Sequence, residues 1–114
     1  MSPAAGADAD AVLPVLRALA EPKRLAILSA LRAKERCVRD LVATESLPQP
    51  LVSHHLRVLV DAGLVRARRA DGFTMYAVDP EGMAAARRAV GEVLDTELLD
   101  PVALPGGNSH CCAG

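Results

Sequence analysis

The chain has 114 residues and a net charge of −1; 51% of the residues are hydrophobic, but Phe73 and Tyr76 are its only aromatic residues. This length fits a single domain whose core is built from aliphatic side chains on helices. No apolar run approaches the roughly 18 residues of a membrane span, and residues 1–10 lack the basic and apolar regions of a signal peptide, which argues against a membrane protein.

The first half of the chain has the pattern of four helices. Pro22 suits the first position of a helix, Gly63 suits the left-handed residue that follows one, and Pro14 is tolerated only in a first turn. Residues 1–9 are rich in Ala, Gly and Asp and are expected to be disordered. The predicted helices cover about 11–20, a stretch that starts at 22, about 38–44, and a stretch from the turn 46–50 to 61.

Apolar residues at helical spacing predict which side of each helix faces the core. On the first two helices these are Val12, Leu13, Leu16, Leu19, Leu25, Ile27, Leu28 and Leu31. On the third and fourth they are Val38, Leu41, Val42, Val52, Leu56 and Leu59.

From Leu64 onwards, the pattern of the residues changes from helical to strand-like. Two short runs, 64–70 and 73–78, are predicted strands, and Asp71-Gly72 between them is a two-residue hairpin signal. A last helix is predicted over about 81–99, and 100–114 form a flexible tail with two cysteines. Its predicted apolar side consists of Met83, Ala86, Val90, Val93 and Leu94. Residues 10–99 are thus expected to form the folded domain.

Four helices, a hairpin and a final helix, in that order, predict a winged helix-turn-helix, a mainly α fold with a small β-hairpin. The fourth helix is then the one that reads DNA, and the hairpin is the wing. Residues 23–70 carry ten basic and four acidic residues, a net charge of +6, between acidic flanks. A basic centre of this kind is typical of a segment that binds a polyanion.

Polar residues near the start of such a helix reach base edges, while the wing holds phosphates. Gln pairs well with adenine and Arg with guanine. The predicted contacts to double-stranded DNA are Gln49, Ser53, His54 and Arg57 on the helix and Arg66, Arg68 and Arg69 on the wing. His55 lies closer to the apolar side, so that it fits a packing or helix-bridging role as well as a DNA contact.

Several motifs together resemble the ArsR/SmtB family of metalloregulators, in particular its arsenic-responsive type. The stretch 19–28, LAEPKRLAIL, is similar to the family's second helix, and 35–41, ERCVRDL, resembles its arsenic-sensing box, ELCVCDL. The stretch 49–56, QPLVSHHL, is similar to its DNA-reading helix, and Gly72 with Tyr76 matches its wing. The resemblance covers about residues 12–80. It implies a homodimer formed through the first and last helices, and repression that an inducer relieves.

Three cysteines, an odd number, argue against a disulfide framework and for a reducing cytoplasm. Cys37 matches the first cysteine of the family box, whereas Arg39 stands where the second would be. Cys111 and Cys112 lie in a Pro/Gly-rich tail that is long enough to reach Cys37 of the same or the partner subunit. Three thiolates favour a thiophilic inducer such as trivalent arsenic or antimony, or cadmium or lead. Zinc would want a fourth ligand; His110 could serve, but three consecutive residues that all bind one ion are sterically awkward.

The sequence therefore predicts a DNA-binding repressor that leaves its operator when Cys37, Cys111 and Cys112 bind As(III) or Sb(III), with no organic cofactor. Two alternatives keep the cysteines but change their role. In one they form a redox or persulfide switch on the same DNA-binding fold; in the other the protein is a thiol metal carrier that does not bind DNA. An enzyme is not expected, because the chain has no Gly-rich phosphate loop and no nucleophile paired with a base.

Overall fold

The computed structural model describes residues 9–95, which form five helices and three strands. The helices are α1 (Ala9–Leu19), α2 (Pro22–Ala33), α3 (Val38–Glu45), α4 (Gln49–Asp61) and α5 (Pro80–Val93), and the strands are β1 (Arg36–Cys37), β2 (Val65–Ala70) and β3 (Phe73–Val78). This is a winged helix-turn-helix, as predicted. None of the helices in this range is long and apolar enough to cross a membrane.

The beginnings of the helices follow local rules of capping. Pro22, Pro50 and Pro80 each lie in the first turn of a helix, where the missing N–H costs nothing. Asp79 caps α5, since its side chain accepts hydrogen bonds from the amides of residues 81 and 82. The prediction for Pro14 was wrong: α1 begins at Ala9 rather than near Ala11, so that Pro14 lies in the second turn.

The core lies where the first four helices and the start of β2 meet. Its largest fully buried side chains are Ile27, Leu31, Leu41, Val52, Leu56, Leu59 and Leu64. On α1 the predicted side was wrong in part, because Val12, Val15 and Ala18 are buried whereas Leu13 and Leu16 are 40% and 39% exposed. Leu25 on α2 was also predicted inside and is exposed. On both helices, leucines that were predicted to be buried therefore lie on the surface.

The turn after α4 ends that helix as its glycine predicts. Gly63 has a φ of +80°, its amide donates to the carbonyl of Val60, and the amide of Leu64 donates to that of Leu59. These two bonds form a Schellman motif, which satisfies carbonyls at the end of a helix. Leu64 is thereby placed in the core and starts the path into the wing.

The wing is a three-stranded antiparallel sheet in the order β1-β3-β2. The hairpin turn is the predicted Asp71-Gly72, both with positive φ, and Ala70 pairs with Phe73 across it. The strand β1 was not predicted. Its two residues pair with the free edge of β3, Arg36 with Tyr76 and Cys37 with Met75. The sheet therefore joins the wing directly to the start of α3.

The last helix packs against α1 and touches the turn after α4. It ends at Val93, with Leu94 as its cap, and is therefore shorter than predicted; the predicted end near Leu99 lies outside the described residues. Ala86 is buried and Met83 and Val90 pack on the core, but Val93 and Leu94, which were predicted on the apolar side, are exposed. The helix starts so close to Gly63 that a β-carbon on Gly82 would overlap the carbonyl oxygen of Gly63.

Candidate nucleic-acid interface and cysteine site

The polar residues predicted to read DNA lie together on the outer side of α4. Ser53, His54 and Arg57 are exposed and line a groove of about 500 Å³ between α4 and the wing. Ala67 of β2 and Tyr76 of β3 form its opposite wall. Gln49, also exposed, is the first residue of α4. The four side chains are thus placed to meet one partner surface.

Strand alternation separates the three wing arginines. Arg69 lies on the same face of β2 as Ala67, the face toward α4, whereas Arg66 and Arg68 lie on the opposite face, because successive side chains of a strand alternate. All three are exposed. The wing therefore carries positive charge on both faces, and only Arg69 shares the α4 side.

Arg68 forms a bidentate ion pair with a residue that sequence analysis did not single out. Its Nε and Nη2 donate to the two carboxylate oxygens of Glu35 at 2.6 and 2.7 Å. These hydrogen bonds lower the pKa of Glu35 and raise the pKa of Arg68. Glu35 directly precedes β1, so the pairing of β1 with the hairpin brings Glu35 to the wing. In the free protein it neutralises one of the predicted DNA contacts.

His55 is buried inside the fold. It is 5% exposed, and its Nδ1 lies 3.3 Å from Nη1 of Arg24 on α2. Its Nε2 lies 3.9 Å from a carboxylate oxygen of Glu21. Of the two roles that the sequence left open, the structure therefore shows the helix-bridging one. No sequence signal identified Arg24 as the partner, since the two residues are far apart along the chain.

Cys37 lies where the wing meets the helix-turn-helix. It is the last residue of β1 and the N-cap of α3, and its side chain makes no capping hydrogen bond. The residue is half-buried and lines a groove of about 400 Å³ with Arg39, Gln49 and Phe73, among others. This groove connects the cysteine to the first residue of α4 and to the tip of the wing.

The other two predicted ligands, Cys111 and Cys112, lie outside the described residues, as does His110. Among residues 9–95, no three His, Cys, Asp or Glu side chains come together in a way that could hold a metal ion. Cys37 accordingly needs sulfur or nitrogen ligands from elsewhere to complete a site for a soft ion.

The sequence and the structure both match known regulators. A profile described as "Bacterial regulatory protein, arsR family" matches residues 21–67. The chain is similar to the HTH-type transcriptional repressor SmtB of Mycobacterium tuberculosis, 48% identical over 67 residues, which cover 59% of this chain and 50% of the repressor. It is also similar to the arsenical resistance operon repressor of Staphylococcus xylosus, 39% identical over 59% of this chain and 64% of that protein.

The chain spans about half to two thirds of the length of these curated relatives. A solved structure matches more fully. It is the homodimeric winged helix-turn-helix DNA-binding domain of a possible ArsR-family transcriptional regulator from Mycobacterium bovis, with a TM-score of 0.66 and 33% identity. The match covers 86% of this chain and 91% of that one. On these matches, the chain belongs to the arsR family of bacterial regulatory proteins.

Proposed function

We propose that this protein is a transcriptional repressor that binds operator DNA as a homodimer. The observation that carries the proposal is the exposed row of Gln49, Ser53, His54 and Arg57 on α4, beside a wing whose arginines are exposed as well. Side chains of these types at the start of a helix make base contacts, and basic residues next to them hold phosphates. The +6 charge of residues 23–70 supports the same role.

A dimer through the first and last helices is supported by what the monomer leaves uncovered. Leu13 and Leu16 on α1, together with Val93 and Leu94 after the core-facing part of α5, are between 39% and 70% exposed. An apolar groove of about 390 Å³ runs between α1, α2 and α5. Apolar surface of this kind usually marks an association site, and two half-sites of DNA need a two-fold protein.

The inducer in this proposal is trivalent arsenic or antimony, bound by Cys37 with Cys111 and Cys112. The groove at Cys37 also contains Gln49, the first residue of the DNA-reading helix. An ion on Cys37, with the tail drawn to it, would therefore occupy space next to the DNA-contacting side chains. Because Cys37 is the last residue of β1, and β1 pairs with β3, an ion bound to Cys37 would also affect the wing. Both effects lower the affinity for DNA.

The experiment starts from a duplex selected out of random-sequence DNA by the protein itself, so that no operator has to be assumed. Fluorescence anisotropy then follows release of that duplex on addition of arsenite, for the wild type and for Cys37→Ser, Cys111→Ser and Cys112→Ser. We expect arsenite to release the wild type only, because three sulfurs are needed to hold the ion. Without arsenite, all four proteins are expected to bind alike.

Two outcomes contradict the proposal in separate ways. If selection recovers no preferred duplex, the DNA-binding role is wrong. If DNA binds but only hydrogen peroxide, and not arsenite, releases it, the cysteines form a redox switch instead. A response to cadmium, lead or zinc that exceeds the response to arsenite at equal concentration would reassign the inducer and leave the repressor role in place.

The ion pair of Arg68 leads to a prediction about DNA affinity. Replacing Glu35→Gln removes a negative charge from the wing and frees the Arg68 guanidinium for a phosphate, so that we expect affinity to rise about three- to tenfold at low salt. The control is Glu92→Gln on α5, which changes the net charge equally but lies away from the wing. Equal affinities of the two variants would show that Arg68 does not meet DNA.

A further inference from the structure

Arg24 connects three helices through one side chain. It lies in the first turn of α2 and is half-buried. Its Nε donates to the carbonyl of Ala18 at 2.7 Å, and its Nη2 donates to the carbonyl of Arg17 at 3.2 Å. Both carbonyls belong to the last turn of α1, where helix carbonyls lack intrahelical partners and carry partial negative charge. Its Nη1 faces His55 of α4.

The contact between Arg24 and His55 determines which nitrogen of the neutral histidine carries the proton. A guanidinium can only donate, so Nδ1 of His55 has to accept, and the proton of the neutral imidazole sits on Nε2. Nε2 lies 3.9 Å from a carboxylate oxygen of Glu21, and that oxygen accepts a hydrogen bond from the backbone amide of Arg24. The charged or titratable groups that face His55 are thus Arg24 and Glu21 from α2 and His54 from α4 itself.

We propose that Arg24 is a positioning residue for DNA recognition, which through neutral His55 fixes α4 to the last turn of α1. The inference rests on the proposed DNA-binding function. Arg24 itself touches α4 on its buried side, opposite the exposed Ser53, His54 and Arg57, so it acts through His55 and not on DNA. Because α1 is the proposed dimer helix, this link also sets how the two reading helices of a dimer are spaced.

Acid should break this link. A proton on Nδ1 removes the acceptor and places an imidazolium against a guanidinium. Burial lowers the pKa of His55 below its usual value of 6.5; the Glu21 carboxylate opposes this shift and Arg24 adds to it. The unfolded chain therefore takes up the proton first. The contribution of His55 to stability is complete above pH 6.5 and is lost as the pH falls from there through the lower pKa of the folded protein.

The test measures affinity for the selected duplex by anisotropy from pH 8 to pH 5 at constant ionic strength. Arg24→Gln removes the fork, and Arg32→Gln is the matched control, since it lies on the same helix, is exposed and changes the charge equally. At pH 8 we expect about tenfold weaker binding for Arg24→Gln and less than twofold for Arg32→Gln, a difference in the range of charge-assisted hydrogen bonds. Equal affinities of the two variants overturn the inference.

The variant His55→Asn provides a second test, because asparagine keeps the hydrogen bond to Arg24 but does not take up a proton. The asparagine Oδ1 takes the place of Nδ1 and accepts from Arg24, so that affinity at pH 8 should stay within about threefold of the wild type. The wild type should lose affinity on acidification and His55→Asn should not. A pH profile of His55→Asn that matches the wild type overturns the inference.

A readout without DNA separates this inference from the proposed function. Hydrogen exchange of the free proteins should show faster exchange of the α4 amides in Arg24→Gln than in Arg32→Gln, with α5 unchanged. If the wild type binds no duplex, the proposed function fails, and a positioning role in recognition fails with it. If the wild type binds and α4 exchanges equally in both variants, only the positioning role is wrong.

Discussion

Replacing Arg57→Ala is expected to weaken binding of the selected duplex by about 10- to 100-fold. Arg57 is exposed on the side of α4 that we propose reads DNA and lines the groove to the wing, and its planar guanidinium matches the O6 and N7 acceptors of a guanine. A bidentate contact of that kind is worth about 1–3 kcal/mol. Selection repeated with the variant should give a duplex in which one base position has become degenerate. Sequencing of the selected pools measures this directly.

The contrasting variant is Arg66→Ala on the wing. A phosphate contact carries no sequence information, so its loss should weaken binding to all duplexes alike and reduce the slope of log K against log salt by about 1. The preferred sequence should remain the same. If Arg57→Ala also weakened all duplexes uniformly, Arg57 would be a phosphate contact, and base recognition would have to lie with Gln49, Ser53 or His54.

Replacing Gly82→Ala is expected to destabilise the fold by about 3 kcal/mol, the upper part of the range for overpacking. The new β-carbon would overlap the carbonyl oxygen of Gly63. That carbonyl has little freedom to move, because Gly63 holds a left-handed conformation between the hydrogen bonds that end α4. The next residue, Leu64, is also held in place, because its carbonyl accepts from the amide of Asp79 at 2.9 Å. Urea unfolding followed by circular dichroism measures the loss.

Gly91→Ala is the matched control for that prediction. Gly91 lies in the same helix, and a β-carbon there would meet nothing within 4 Å. Alanine is favoured over glycine in a helix by up to about 1 kcal/mol, so this variant should be slightly more stable than the wild type. If the two variants had the same unfolding midpoint, the close approach between α5 and the turn after α4 would not constrain the fold.

Local chemistry was sufficient to predict the order of the five helices and the hairpin, although not the short strand β1. Proline is tolerated in a first turn because the N–H groups there have no hydrogen-bond partner within the helix. Gly63 adopts a left-handed φ without strain, and Asp71-Gly72 matches the twist of a hairpin. These rules depend on residues close together in sequence. They were therefore readable without knowledge of the fold, and the winged helix-turn-helix followed from their order.

The choice of which apolar face is buried depended on distant neighbours. In α1, Leu13 and Leu16 fit a helical stripe as well as Val12 and Val15 do, and only the packing of α2 and α5 decided which pair lies inside. The strand β1 is too short to show any period. It exists because β3 offers an unpaired edge at Tyr76 and Met75.

The candidate site shows the same division. Sequence by itself determined that Ser53, His54 and Arg57 lie on the exposed side of α4, since helical spacing separates them from the apolar positions of that helix. Only the tertiary structure decided that Arg68 is paired with Glu35 and that His55 is held by Arg24. Such pairs join residues more than thirty positions apart in the chain. Their formation depends on how helices and strands pack, which no local pattern of residues encodes.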